Sequence, residues 1–346
     1  MSAQENQAFA ATRAKSLADE RDRFLPRRGL AGGHRMTLAG NFLPRPSKLS
    51  LPEERLFRVD AEEDVQILCH CHWQPDRQAA LTLVIVHGLE GSSSSQYVIG
   101  TANKAFAAGM NVVRMNMRNC GGTENLGPTL YHSGLSCDVA SVVKTLVKEE
   151  HLSRVALAGY SMGGNLVLKC AGDWGTNAPP EVKAVCGISP AMDLAASADA
   201  LHHPANLIYE MKFLWGLTRR IRRKAALFPE RYPIAGLGRM RSLREFDDKV
   251  TARFSGFTGA DDYYFRAASA RVLDKITLPT LVIHAQDDPF IRILPETRAK
   301  LEANPHIEFL ESAHGGHCAF LAAPDGYDGR WAERQVVRFA QKHARR

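Results

Sequence analysis

The sequence has no apolar run approaching the roughly 20 residues that a membrane-crossing helix needs. Its first stretch, "MSAQENQAFAATRAKSLADERDRF", mixes acids, bases and alanines and lacks the apolar core of a secretion signal, so the expected compartment is the cytoplasm. Residues 1–25 read as a surface helix or a mobile tail. Cysteine is scarce and scattered: there are seven, an odd number, placed singly apart from Cys69 and Cys71. That argues against a disulfide framework and suits a reducing compartment. No second Cys/His pair at zinc spacing follows "CHCHW" (69–73). In a strand, His70 and His72 would share one face and Cys69 and Cys71 the other, so the four cannot gather around one ion. No metal or organic cofactor is expected. There is no internal repeat and no low-complexity tract; "SSSS" (92–95) is short enough to be a turn. The net charge of +7 is not matched by a nucleic-acid recognition motif or by aromatics interleaved with the basic residues, so no nucleic-acid partner is expected.

The chain has 346 residues, enough for one large α/β domain with an insertion or for two ordinary domains. Short runs rich in Val and Ile recur: "RLFRVD" (55–60), "VQILCHCHW" (65–73), "LTLVIVHG" (81–88), "NVVRMNMR" (111–118), "RVALAG" (154–159), "VKAVCGIS" (182–189), "TLVIHA" (280–285) and "IEFLES" (307–312). Most are continuously apolar, as expected of strands covered on both faces. Helical patterns lie between them, at 97–109, 135–150 and 162–174. This alternation predicts an α/β fold with a mostly parallel sheet flanked by helices. It breaks at about 190–275, where helices follow one another without strands. Because that region lies between two sheet strands, it reads as a helical cap insertion within a domain covering 31–346, behind a tail or helix at 1–30.

One motif carries chemistry. "GYSMG" (159–163) places Ser161 between two glycines, with a strand before it and a helix after it. This is the context of a nucleophile elbow, in which the turn is so tight that side chains two positions either side of the serine would strike backbone. The pentapeptide alone equally describes a glycine-rich turn with an incidental serine. A serine nucleophile also needs a base, because its hydroxyl is barely acidic at neutral pH. "ESAHGGHCAF" (311–320) offers His314 and His317 after the last strand. The base needs an acid to hold its tautomer, and "VIHAQDDPF" (282–290) offers Asp287 and Asp288, with Asp193 a weaker alternative after the strand ending "GISP". The order Ser, Asp, His is that of the α/β-hydrolase triad. For the oxyanion, one donor is expected from the Met162 N–H and the other from Leu89, in the loop after "VIVHG". His87 reads as a brace for that loop, with Arg118 and Asn119 of "RNCGG" behind it. Cys120 lacks a histidine partner of its own and reads as part of a tight loop.

Taken together, "VHGLEGSS", "MNMRNCGGTENL" with "YHSG", "GYSMGGN", "SLREFDD" (242–248), "DDYYFRAA" (261–268), "HAQDDPF" and "HGGHCAF" resemble the YheT-type branch of the α/β-hydrolase fold, the AB hydrolase 4 family. The likeness runs from about residue 30 to the end. It implies a serine carboxylesterase acting on acyl esters, with lipases and acyl-alcohol transferases among its relatives. It also implies Asp288 as the acid and His317 as the base. One departure stands near the front: the family's His-x-Gln-Thr is here His34-Arg35-Met36-Thr37.

The implied reaction is hydrolysis of a small-molecule acyl ester through an acyl-enzyme intermediate. The competing readings are acyl transfer to an alcohol at the same triad and a non-catalytic, lipid-binding pseudo-hydrolase. Tyr209, Phe213 and Trp215 read as lining for an acyl pocket. In "MKFLWGLTRRIRRKAALFPERY" (211–232), Phe213, Leu214, Leu217 and Ile221 fall on one helical face. Arg219, Arg220, Arg222, Arg223 and Lys224 read as the other. That basic cap face is either simply solvated or in peripheral contact with an anionic membrane.

Overall fold

The computed structural model describes residues 23–345, the side chain of Glu63 aside. In chain order its elements are α1 (Gly33–Phe42), β1 (Glu53–Val59), β2 (Glu62–His72), β3 (Thr82–Val86), α2 (Gln96–Ala107), β4 (Asn111–Met115), α3 (Ser136–Lys148), β5 (Val155–Tyr160), α4 (Met162–Trp174) and β6 (Val182–Ile188). Then come α5 (Leu194–Leu201), α6 (Leu207–Leu227), α7 (Leu243–Phe246), a π-helical turn (Asp247–Ala252), α8 (Arg253–Ser255), α9 (Ala260–Ala267), β7 (Thr280–Ala285), α10 (Pro295–Ala303), β8 (Ile307–Ser312) and α11 (Trp331–Ala344).

The eight strands form one sheet in the order β1-β2-β4-β3-β5-β6-β7-β8. β2 runs antiparallel to β1 and β4; every pairing from β4 across to β8 is parallel. The residue pattern explains the difference. β3 and β5 are apolar almost throughout, and β3, β4 and β5 are buried at every position, as strands covered by helices on both faces must be. β2 alternates from Val65 onward, with Val65, Ile67, Cys69 and Cys71 buried and Gln66, Leu68 and His70 between them partly exposed.

Successive residues of one strand feed two cores. Val84, Val86 and Leu157 pack with α3 and α4 through Val139, Val142, Leu166 and Val167. Leu83, Ile85 and Ala158 pack on the other side with α2 and α11 through Val98, Ala102, Val336 and Phe339. "CHCHW" obeys the same rule. Cys69 and Cys71 enter the first core, while His70 meets the Ser93 hydroxyl at 2.9 Å and His72 meets Arg114 at 3.1 Å.

Two strands stop earlier than their apolar runs suggest, β3 at Val86 and β4 at Met115. At these carboxyl ends the chain leaves the sheet to build loops over its edge, where ligands bind in open α/β sheets. Between β6 and β7 the described chain runs through helices alone. Of the tail expected at 1–30, residues 1–22 lie outside the described residues. The remainder is tied down: Phe24 is buried with its ring 5.6 Å from Phe320, and the Arg27 N–H donates to the Leu321 carbonyl at 2.8 Å. Among the described residues no helix is long and apolar enough to cross a membrane.

Candidate active site

Ser161 stands between β5 and α4 with φ 54° and ψ −118°, a backbone region that costs a non-glycine residue of order 1–3 kcal/mol. Its neighbours make the turn possible. A Cβ at Gly159 would lie 2.1 Å from the Gly163 carbonyl oxygen, and one at Gly163 would lie 2.3 Å from that of His87. The Ser161 N–H donates to the Ile188 carbonyl at 2.9 Å, which pins the turn to the end of β6. Its side chain opens into a pocket.

The loop after β8 carries both candidate histidines and the loop after β7 both candidate acids, and the structure sorts them into two pairs. His317 Nδ1 lies 2.8 Å from Asp288 Oδ2, and the Asp288 carboxylate is fully buried. Asp288 also accepts the N–H groups of Phe290 and Ile291 through Oδ1, at 3.1 and 3.0 Å. Burial acts to raise its pKa. The charge and hydrogen bond of His317 outweigh that and hold the carboxyl below its ordinary value.

For His317, burial acts to lower the pKa, while Cys318 and the Asp288 carboxylate raise it and prevail, pushing it up to about 10. With Nδ1–H given to Asp288, Nε2 is left as the exchangeable nitrogen; Cys318 Sγ lies 3.7 Å from it. The Cys318 thiol donates to the same Ile188 carbonyl that takes the Ser161 N–H, so the loop after β8 and the turn at Ser161 are both tied to the end of β6.

The second pair, His314 and Asp287, meets at 3.2 Å nearer the surface, and Asp287 also accepts the Gly316 N–H at 2.8 Å. Asp193 points elsewhere: it takes the Leu294 N–H and the Thr297 hydroxyl at the start of α10.

The loop after β3 brings Leu89 to the same pocket as Ser161 and Met162. The Met162 N–H is the first of α4 and precedes its hydrogen-bond ladder. His87 braces this loop. Its Nε2 accepts the Met117 N–H at 3.1 Å, which leaves Nδ1–H to donate to the Gly88 carbonyl at 2.8 Å. The Gly88 N–H donates to the Tyr97 hydroxyl at 2.9 Å, and Ser93 N–H to Asn116 Oδ1 at 2.9 Å.

Arg118 does not support this loop as expected. It forms a bidentate pair with Asp138 at 2.7 and 2.5 Å and reaches Glu62 and Thr129, because the buried Asp138 on α3 offers a planar guanidinium its best partner. Asn119 likewise turns its side chain to the Thr129 carbonyl. Cys120 is fully buried, and burial pushes its thiol up to about 12.

The pocket takes in about 920 Å³ of space, its open mouth included. Its walls are mostly apolar: Leu130, Leu194, Leu201, Phe213, Leu217 and Phe290 are among them. Trp215, expected in the wall, points outward and is 67% exposed; two positions from Phe213 is about 200° around a helix. Arg220 and Lys224 were assigned to the outer face but turn inward, since they sit three residues after Leu217 and Ile221. Arg220 donates to Glu90 at 2.9 Å, whose carboxylate also takes the Tyr131 hydroxyl, and to the Asn119 carbonyl. Lys224 is wholly buried and donates to the Glu124 and Gly127 carbonyls.

Three features escaped the sequence reading. Thr37 accepts the His317 N–H at 2.8 Å while donating to Gly33, so α1 positions the imidazole loop. The only signal was the departure at His34–Thr37, where Met36 is a fully buried core residue. Ser189 accepts the Cys318 N–H at 3.1 Å. Asn165 gathers three of the resembling stretches: its Nδ2 donates to the Ser133 and Ala267 carbonyls and its Oδ1 accepts the Ser269 N–H, all within 2.9 Å.

A family model of the alpha/beta hydrolase fold matches residues 82–324. The protein named "Putative esterase YheT" in Escherichia coli (strain K12) is 31% identical over 317 residues, covering 90% of this chain and 91% of its own. The chain therefore belongs to the α/β-hydrolase fold family, in its YheT-like branch. Phospholipase ABHD3 of Mus musculus is 28% identical over 71% of this chain, and the monoacylglycerol lipase of Saccharomyces cerevisiae 26% identical over 74%. The aligned parts are 60% and 58% of those two proteins. Among solved structures, the esterase Pf2001 of Pyrococcus furiosus matches with a TM-score of 0.54 at 15% identity, covering 87% of this chain and 97% of its own. A 2,6-dihydroxy-pseudo-oxynicotine hydrolase matches with a TM-score of 0.58 at 15% identity, over 90% and 72%. These structures speak to the fold.

Proposed function

We propose that the protein is a serine carboxylesterase that cleaves acyl or lipid esters through an acyl-enzyme. Ser161 Oγ attacks the ester carbonyl while His317 Nε2 takes its proton. Asp288 keeps the proton on Nδ1 and stabilises the imidazolium. The N–H groups of Leu89 and Met162 receive the oxyanion, fixed before the reaction begins. His317 returns the proton to the leaving alcohol. Water then enters, gives its proton to the same nitrogen as its oxygen attacks the acyl carbon, and the acid is released as His317 returns that proton to Ser161 Oγ.

The observation that carries this reading is the 2.8 Å pairing of the buried Asp288 with His317, together with a serine held at φ 54° on the wall of an apolar pocket. The esterase, phospholipase and lipase names of the relatives favour the same substrate class.

Labelling by a fluorophosphonate probe, followed by turnover of acyl esters from two to sixteen carbons, tests it. Ser161→Ala is expected to abolish labelling and to lower kcat by something on the order of 10⁶. Near-normal turnover in that variant would end the proposal.

A further inference from the structure

The outer face of α6 has no place in the reaction, yet it is unusual. Ile208, Met211 and Trp215 are 72%, 64% and 67% exposed. They lie at i, i+3 and i+7, so they form one stripe, and the next positions on that stripe are Arg219 and Arg222. The Arg219 guanidinium lies 5.5 Å from the Trp215 ring. Lys212 flanks the apolar half.

Several exposed cations elsewhere are paired, among them Lys144 with Asp60, Arg244 with Asp199 and Lys249 with Glu245. Among the described residues Lys212, Arg219 and Arg222 have no carboxylate partner. The stripe is also close to the site. The opposite face of α6 supplies Phe213 and Leu217 to the pocket. Tyr209, next to Ile208, stacks on His34 and packs 5.4 Å from Phe290, whose ring lies 4.4 Å from His317.

We infer that this stripe docks the protein on an anionic bilayer, with Ile208, Met211 and Trp215 entering the headgroup boundary and Lys212, Arg219 and Arg222 meeting lipid phosphates. An interfacial helix buries its apolar side by about 5–10 Å and gains from anionic headgroups. Unpaired cations in line with exposed apolar side chains fit that surface. A polyanion in water would reward the cations but not the burial of Ile208 and Met211. Docking by α6 would put the pocket one helix thickness from the membrane. The inference stands apart from the esterase reading, since binding needs no turnover.

The experiment uses the full chain carrying Ser161→Ala with vesicles of phosphatidylcholine alone or mixed 7:3 with phosphatidylglycerol. The mixed vesicles are expected to bind at least about tenfold more tightly. Brominated lipid should quench tryptophan emission, and Trp215→Tyr should remove that quenching. Arg219→Gln with Arg222→Gln should weaken binding by about 30-fold, with the melting temperature unchanged. Ile208→Ser with Met211→Ser should weaken it with every charge intact. Equal binding to both vesicles, absence of quenching in the parent chain, or an unaffected Ile208/Met211 variant would each overturn the inference. So would single-stranded DNA bound as tightly as the mixed vesicles. Failure here leaves Ser161 labelling untouched, and failure of labelling leaves vesicle binding untouched.

Discussion

Two carboxylate–imidazole pairs stand side by side at the carboxyl end of the sheet, built from adjacent aspartates and from histidines three residues apart. Asp288 and His317 meet at 2.8 Å with the carboxylate wholly buried. Asp287 and His314 meet at 3.2 Å with the histidine side chain 44% exposed. The chemistry of the groups is the same; their surroundings differ. Burial excludes water from Asp288 and leaves it His317 and two backbone N–H groups, which fix both its charge and its direction. The outer pair shares its partners with solvent, and such pairs are worth about 0–1 kcal/mol. Alanine at each histidine tests this contrast most severely. His317→Ala is expected to lower kcat for a short-chain aryl ester by about 10⁵ or more, and His314→Ala by less than about threefold. A reversed order would move the base to the outer pair.

The acids should differ by less. Asp288→Asn preserves shape but favours the wrong tautomer of His317, and a fall of about 10⁴ in kcat is expected. Asp287→Asn can still accept the Gly316 N–H through its amide oxygen. It should change kcat by no more than about threefold and stability by no more than about 1 kcal/mol, measured by denaturant unfolding. A large loss of activity with unchanged stability in Asp287→Asn would merge the two pairs into one functional unit.

The contrast also marks what a sequence can carry. "GYSMG", the strand order and the doublet Asp287–Asp288 are local patterns, so the elbow and both candidate pairs were legible. Residue chemistry alone left Asp287 and Asp288 open, and only the family resemblance implied Asp288; that Thr37, far along the chain, holds the His317 loop is recorded in no local pattern. The same limit explains Arg118, whose partner Asp138 is set by how α3 packs, and Arg220 and Lys224. Their basic character suggests solvent, but their spacing from Leu217 and Ile221 puts them on the buried side, where carbonyls and Glu90 satisfy them. Helical phase was the better guide than residue type. Trp215 teaches the converse, an aromatic side chain left outside because of its phase.

The finest test of the inner pair is pH. Its base must be neutral at Nε2, so activity should rise as pH increases through the His317 pKa. Burial acts to lower that pKa, but Cys318 and Asp288 prevail and raise it above the ordinary 6.5. The midpoint is therefore expected above 6.5. Stability should move the other way. A histidine whose folded pKa is raised contributes fully below its unfolded value of 6.5 and loses that contribution as pH rises through the folded value. Activity and stability should thus cross in opposite senses over the same window. Asp288→Asn should bring the midpoint down toward 6.5, while Asp287→Asn should leave it in place. A midpoint that follows Asp287 instead, read from kcat/KM against pH, would show that the buried carboxylate does not set the charge of the base.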